Sequence, residues 1–224
     1  MSSRKTTFSP QKSLIDRKKL LFLVNTLKHA GRTLGDGSLE MSIACLPQRN
    51  KRKILRDATR VAVRCGLDPK KLFLDDLREG CLPLNDTLVG LHRNARLKPI
   101  LDRSLLIDLT ILLDAACKCR MGPSPFQKNL DEVATIFGLD DIEKEIVLCM
   151  FLWATNAMID RLYDELHAFL NIKTQEYCTP APHPRIFAIM MGLPKTTVEK
   201  VFRKDSKFGK SGNGGIHFTQ QPPT

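Results

Sequence analysis

The side chains best suited to binding chemistry in this sequence are hydroxyl and basic groups near its C-terminal end. They follow the segment RIFAIMMGLP at positions that share one open helix face: Lys195, Thr196, Thr197, Lys200, Arg203 and Lys204. Such side chains can contact the phosphates and base edges of DNA in a major groove. Glu199 opposes this interpretation, because it adds a negative charge to the same helix.

A helix corner that occurs three times must position these residues. Each copy reads alanine, any three residues, glycine and leucine. The copies lie at 62–67, 134–139 and 188–193. We expect glycine to adopt the left-handed conformation that ends one helix, while alanine admits the next helix and leucine enters the angle between them. The third copy is the most complete, because Val198, six residues after its glycine, faces back into the corner and the basic residues of a helix-turn-helix follow. Val198, Val201 and Phe202 are predicted to form the buried stripe of its second helix. Leu72 occupies the position of Val198 in the first copy, and Lys144 occupies it in the second. An ordinary helical hairpin is the alternative interpretation.

The net charge of +11 belongs almost wholly to the N-terminal quarter of the chain. Residues 1–60 contain 14 Lys and Arg against 4 Asp and Glu, whereas residues 61–224 contain 21 against 20. Lys51, Arg52 and Lys53 form the denser of two basic clusters, and Arg17 to Lys19 form the other. A field of this sign attracts polyanions such as nucleic acid. A solvated charged surface with a mobile arm is the alternative.

Complete catalytic, cofactor and metal motifs are missing from the sequence. The string at 208–211 would need a glycine at position 204 to form a phosphate-binding loop, and Lys204 stands there. The five histidines do not pair with histidine or cysteine at metal-ligand spacing. We therefore predict no catalytic residue, no metal and no cofactor, and a protein that is not an enzyme.

The seven cysteines and the hydropathy pattern predict a cytoplasmic protein without a membrane span. The cysteine count is odd and lacks a CxxC pair, which favours a reduced compartment. Cys65 and Cys149 lie in apolar periodic stretches and are predicted to be core residues. No run approaches the roughly 18 consecutive apolar residues of a membrane helix.

Helical periodicity recurs along the chain, whereas alternating β-branched patterns do not, so we predict an all-α, multi-helical fold with two helical subdomains. The first helix is expected to begin near Ser13, and Gly35 and Gly37 to form a flexible link after it. The break GPSP at 122–125 is the predicted domain boundary. The divisions are a mobile basic arm over 1–12, an N-terminal domain over 13–121, a C-terminal domain over 125–205 and a flexible tail over 206–224.

The region from Pro125 to Ser211 resembles the helical region that precedes the ATPase core of some large bacterial AAA-type ATPases. The segments that carry this resemblance are PFQKNL at 125–130, FGLDDIEKEIVL at 137–148, MGLPKTTVEK at 191–200 and DSK at 205–207. The resemblance implies an all-helical accessory module that serves an ATPase and contacts substrate, partner or DNA. Because the ATPase core would follow residue 211 and the sequence ends at Thr224, ATP hydrolysis is not implied. Two explanations are open: the chain is a truncated or split relative of these ATPases, or the likeness is limited to a helix-turn-helix corner.

Two function hypotheses follow from these patterns. The first is a non-catalytic binding module whose partner is an AAA-type ATPase or another protein. The second is a DNA-binding protein that uses residues 186–204, with the basic N-terminal region gripping backbone phosphates of double-stranded DNA.

Overall fold

The structure of the protein, a computed structural model, describes residues 10–67, 84–118, 125–172 and 183–202. Within these ranges the chain forms ten α-helices and no strands, which confirms the predicted all-α class. The helices are α1 (Pro10–Ala30), α2 (Asp36–Cys45), α3 (Gln48–Arg64), α4 (Leu84–His92), α5 (Lys98–Lys118), α6 (Pro125–Phe137), α7 (Asp141–Thr155), α8 (Ala157–Phe169), α9 (Pro184–Met191) and α10 (Lys195–Val201).

Helix α1 lies at the centre of the packing. It contacts α5 from the first half of the chain and α9 from the second, while α2 packs against α8. Phe22, Leu23 and Val24 of α1 are consecutive and almost fully buried, so more than one face of this helix is covered. Helices on both sides of the predicted boundary therefore contribute to one hydrophobic core. The break at 122–124 lies outside the described residues, and the division into two domains stays a prediction.

Helix α7 is the central core element that its apolar sequence predicts. Ile146, Leu148 and Cys149 are almost completely buried. A capping box begins the helix: the Asp140 carboxylate accepts from the Glu143 N–H at 2.8 Å, and the Glu143 carboxylate accepts from the Asp140 N–H at 2.9 Å. These reciprocal bonds satisfy two backbone donors that the first turn would otherwise leave unpaired.

Two predictions about individual residues are wrong. Helix α1 begins at Pro10, three residues before Ser13, because proline fits the first position of a helix without losing a hydrogen bond. Cys65 is exposed, although Cys149 is buried as predicted. The reason is that α3 ends at Arg64, so Cys65 belongs to the turn that leads to Gly66 and no longer follows the buried stripe of the helix.

The segment Gly35–Gly37, predicted to be a flexible link, instead joins α2 to α8. The Glu165 carboxylate of α8 accepts from the backbone N–H groups of Gly37 at 2.6 Å and Ser38 at 2.9 Å. A Cβ on Gly35 would lie 2.6 Å from the same carboxylate, so the glycine permits its approach. A helix N-terminus favours an anion, and here the chain supplies its own.

No single helix in the described part of the chain combines the length and apolarity needed to cross a bilayer. The consecutive helices α7 and α8, bent by 102°, meet that criterion only as a pair, and the apolar residues of α7 are largely buried in the core.

Candidate nucleic-acid interface

The third helix corner has the geometry that its sequence predicts. Gly192 adopts φ +71° after α9, and α10 starts three residues later. The Leu193 N–H donates to the Ala188 carbonyl at 2.9 Å, and the Gly192 N–H donates to the Ile189 carbonyl at 3.1 Å. These two bonds define a Schellman ending, in which a left-handed residue stops the helix and its last carbonyls stay paired.

The other two corners end their helices in the same way. The N–H of Leu67 bonds the Ala62 carbonyl at 2.9 Å, and that of Leu139 bonds the Ala134 carbonyl at 2.8 Å. Gly66 and Gly138 also have positive φ. The repeated pattern is therefore a way of ending helices. Any binding property of a corner must come from the side chains that follow it.

Those side chains differ between the copies. Lys144, which occupies the matching position after the second corner, forms an ion pair with Asp131 of α6. Leu72, the counterpart after the first corner, lies outside the described residues. After the third corner Val198 is fully buried and Val201 is nearly so, as predicted, while Phe202 is half-buried and stacks 6.0 Å from Phe187.

The predicted DNA-facing residues of α10 lie mostly in solvent. Lys195, Thr196 and Lys200 are exposed, and Thr197 is half-buried. The Lys195 ammonium lies 3.1 Å from the Glu199 carboxylate, which partly neutralises it. The remaining two candidates of this group, at positions 203 and 204, lie outside the described residues.

The N-terminal candidates are divided by their burial. Lys51 is only 8% exposed, and its ammonium donates to the Asn85 side-chain oxygen at 2.9 Å, so it faces the protein rather than solvent. Arg52 and Lys53 are exposed, with Lys53 lying 3.5 Å from Asp108. Their helix α3 packs on α4 and α5, whereas α10 packs on α9 and α7. The two predicted groups therefore belong to different parts of the helix packing.

A basic groove that the sequence analysis did not find lies beside the third corner. It has a volume of about 380 Å³ and runs between the end of α1 and α9. Its lining includes Lys28 and His29 of α1, Arg185 of α9 and Lys195 of α10. Within the described ranges, no carboxylate lines the groove and neither Lys28 nor Arg185 pairs with one.

The groove depends on a close fit between α1 and the end of α9. The Asn25 side-chain amide donates to the Met190 carbonyl at 3.0 Å. A Cβ on Gly192 would lie 2.8 Å from the Asn25 amide nitrogen, so a larger residue would displace this amide in addition to being strained at a positive φ. Because α1 and α9 are about 160 residues apart in the chain, the sequence contains no local signal for this groove.

The electrostatic field at this end of the molecule is positive. Burial lowers the pKa of His183, which precedes α9, and the charges of His167, Arg185 and Lys195 lower the pKa further, while Glu199 opposes them. Burial is the larger cause of this shift, and the further lowering of the pKa is the response expected of a histidine close to positive charges. The corner therefore favours anionic ligands.

A buried polar cluster elsewhere has the composition of a hydrolase triad but a different geometry. His92 Nε2 lies 2.8 Å from Asp102 Oδ1 and 2.9 Å from Thr33 Oγ1, and Thr33 itself donates to Asp102 at 2.7 Å. In a triad the two ring nitrogens face the acid and the nucleophile separately. One nitrogen here contacts both partners, and Thr33 is 2% exposed, so the cluster acts as a structural tie.

In the described ranges, no three or more His, Cys, Asp and Glu side chains are grouped so that they could hold a metal ion. Neither a family model, nor a curated protein, nor a solved structure matches this chain.

Proposed function

We propose that this chain is a helical binding module that contacts double-stranded DNA through the α9–α10 corner. The observation that carries the proposal is the division of α10 into two faces. Val198 and Val201 anchor the helix in the core, while Lys195, Thr196 and Lys200 point to solvent. A corner that anchors one face of its second helix and exposes hydroxyl and basic groups on the other is suited to docking in a major groove.

The chemistry of the exposed face favours phosphate contacts over base reading. Lysine ammonium groups neutralise phosphates and release bound counterions, which gives affinity that falls with salt. Thr196 can donate to a phosphate or to a base edge. Arg52 and Lys53 of α3 are exposed on a different part of the helix packing and add to the positive charge that attracts a polyanion, whereas the buried Lys51 is left out of the proposed surface.

Fluorescence-anisotropy titration of a labelled mixed-sequence duplex tests this proposal. The test variant combines Lys195→Gln, Lys200→Gln and Arg203→Gln. The matched control combines Arg93→Gln, Arg96→Gln and Arg103→Gln, which removes three exposed charges from the region of α4 and α5. Titrations at about 50 and 200 mM salt should give a slope of log affinity against log salt that is smaller by up to about 2.7 for the test variant.

The control variant should keep most of the affinity and the slope of the unchanged protein. Equal behaviour of the two triple variants would show that α10 is not the contact. Absence of salt-sensitive binding by the unchanged protein would reject the proposal.

A protein partner is the second candidate, and exposed apolar side chains favour it. Ile107 and Ile111 lie one turn apart on α5 and are about half exposed, while Ile136 and Phe137 end α6 with 77% and 46% exposure. Helix α6 falls in the region that resembles AAA-type ATPases, which makes such an ATPase the first partner to test. Co-elution with a purified AAA-type ATPase, lost in an Ile136→Ser and Phe137→Ser variant, would support this candidate.

We place the chain in the cytoplasm. Among the described cysteines, Cys45, Cys65, Cys117 and Cys149 all carry free thiols, which fits a reducing compartment.

A further inference from the structure

The basic groove beside the α9–α10 corner has a rim and a floor of different chemistry. Lys28 and Arg185, both exposed, contribute cations to the rim from two different helices. The floor contains Ala188, Ile189 and Leu193, which carry no polar side-chain atoms. A ligand that fits this groove presents an anionic group beside an apolar one.

The cations of the rim are available to a ligand. In the described part of the chain, Lys28 and Arg185 have no carboxylate partner, unlike Lys195, whose ammonium is held by Glu199. Arginine presents a planar fork that can bind two oxygens of one phosphate, and lysine acts as a compact point charge. Each of the two side chains can therefore bind phosphate oxygens.

The sugar–phosphate backbone of DNA has this combination of groups. Each phosphate carries a negative charge, and the deoxyribose beside it presents carbon–hydrogen surface that can rest on an apolar floor. The groove also adjoins α10, since Lys195 lines it and Leu193 lies in the turn before that helix. Lys195 therefore joins the groove to the proposed DNA-binding face of α10.

We propose that the groove between α1 and α9 binds a segment of the DNA backbone, with Lys28 and Arg185 as its phosphate contacts. This inference rests on the proposed function and assigns α1, the central helix of the core, a second contact with the same duplex. The α9–α10 corner then supplies the docking helix, and the end of α1 fixes the position of the duplex by its backbone.

The test is the salt dependence of duplex binding by a Lys28→Gln and Arg185→Gln variant of the full chain. The matched control is Arg93→Gln and Arg96→Gln, which removes the same number of exposed charges at the turn between α4 and α5. Loss of two phosphate contacts should lower the slope of log affinity against log salt by about 1.8, and weaken binding by about 10- to 20-fold at 200 mM salt. The control should change neither by more than about a third of these amounts.

The outcomes separate this inference from the proposed function. If the unchanged protein does not bind duplex DNA, both fall. A second outcome is that the protein binds DNA and the variant with Lys195→Gln, Lys200→Gln and Arg203→Gln binds it more weakly, while the groove variant behaves like its control. The groove assignment is then overturned and the function proposed for α10 stands. If poly-glutamate of matched charge binds the unchanged protein more tightly than the duplex does, and only poly-glutamate binding is weakened in the groove variant, the groove takes acidic polypeptides and the phosphate assignment is also overturned.

Folding of each variant is checked by the fluorescence of the single tryptophan. Trp153 is buried and packs 4.7 Å from Tyr163 and 6.0 Å from Phe187 of α9, so its emission reports the core beneath the corner. An unchanged emission maximum together with weakened binding supports the assignment, and a red shift in the groove variant would assign the loss to unfolding and count against it.

Discussion

At the scale of single residues, the cluster of Thr33, His92, Lys98 and Asp102 makes stability depend on pH. It joins the loop after α1 to α4 and α5. Burial raises the pKa of Asp102, but the hydrogen bonds from His92 and Thr33, with the charges of His92 and Lys98, outweigh burial and lower the pKa to about 2. The carboxylate is therefore more stable ionised in the folded chain than in the unfolded one.

This depressed pKa predicts how stability depends on acidity. The stabilisation is fully present above the ordinary aspartate pKa of about 4 and is lost as the pH falls through about 2, because in that range the unfolded chain binds the proton more tightly than the folded protein does. The loss should be about 2 kcal/mol in the free energy of unfolding. Urea unfolding, followed by Trp153 fluorescence at pH 5 and at pH 2.5, measures it.

Asp102→Asn should reduce that pH dependence, since the group that titrates is removed. Asp114→Asn is the matched control, because Asp114 is exposed on the same helix. If the Asp102 variant loses as much stability as the unchanged protein between the two pH values, the cluster does not hold the carboxylate as described.

At the scale of elements, one way of ending a helix is used at three places and with three different surroundings. Gly66, Gly138 and Gly192 all adopt positive φ. A Cβ on Gly66 or Gly138 would have no described residue within 4 Å, whereas one on Gly192 would meet the Asn25 side chain of α1. Among these three corners, the one at Gly192, next to the proposed DNA surface, is thus the corner that packs closely against α1.

Gly192→Ala should therefore cost more stability than the same change at Gly138. Alanine in the left-handed conformation costs about 1 kcal/mol at either position. At position 192 the methyl group also displaces the Asn25 amide from the Met190 carbonyl, which adds about another 1 kcal/mol for the lost hydrogen bond. Urea unfolding of both variants gives the comparison, and equal losses would show that the contact with Asn25 contributes nothing.

At the scale of the whole molecule, contacts between residues more than 120 positions apart hold the two halves of the chain together. The Glu165 carboxylate on the first residues of α2 is one such contact, and Lys18 of α1 pairs with Glu145 of α7. A further surface pair joins Glu40 of α2 to Arg161 of α8. Glu165 binds backbone donors, whereas Glu40 binds only the exposed side chain of Arg161, so the two carboxylates should contribute differently to stability.

Glu165→Gln should lower the free energy of unfolding by about 1–2 kcal/mol, since an amide offers one acceptor where the carboxylate offers two and carries no charge for the helix N-terminus. Glu40→Gln is the matched control, because it removes one charge from the same pair of helices. Glu40 is 56% exposed, and its loss should cost no more than about 0.5 kcal/mol. Equal effects, measured by urea unfolding, would contradict the special role of Glu165.

Local features of the fold could be predicted from the sequence because their causes lie within a few residues. The helical periods, the capping pair Asp140 and Glu143, and the left-handed Gly66, Gly138 and Gly192 all depend on neighbours within one or two turns. For the same reason the buried face of α10, with Val198 and Val201, was predicted correctly.

Where distant segments meet was decided by the tertiary structure alone. Lys51 belongs to a basic run in the sequence, yet it is buried and bonds to Asn85 of α4. Gly35 looks like part of a flexible link, yet it precedes the N-terminus of α2, where the Glu165 carboxylate of α8 lies. The basic groove likewise needs α1 beside α9. A hydrophobic period of 3.6 residues indicates which face of a helix is apolar, but not which other helix covers that face. The partner helix depends on the packing of the whole core.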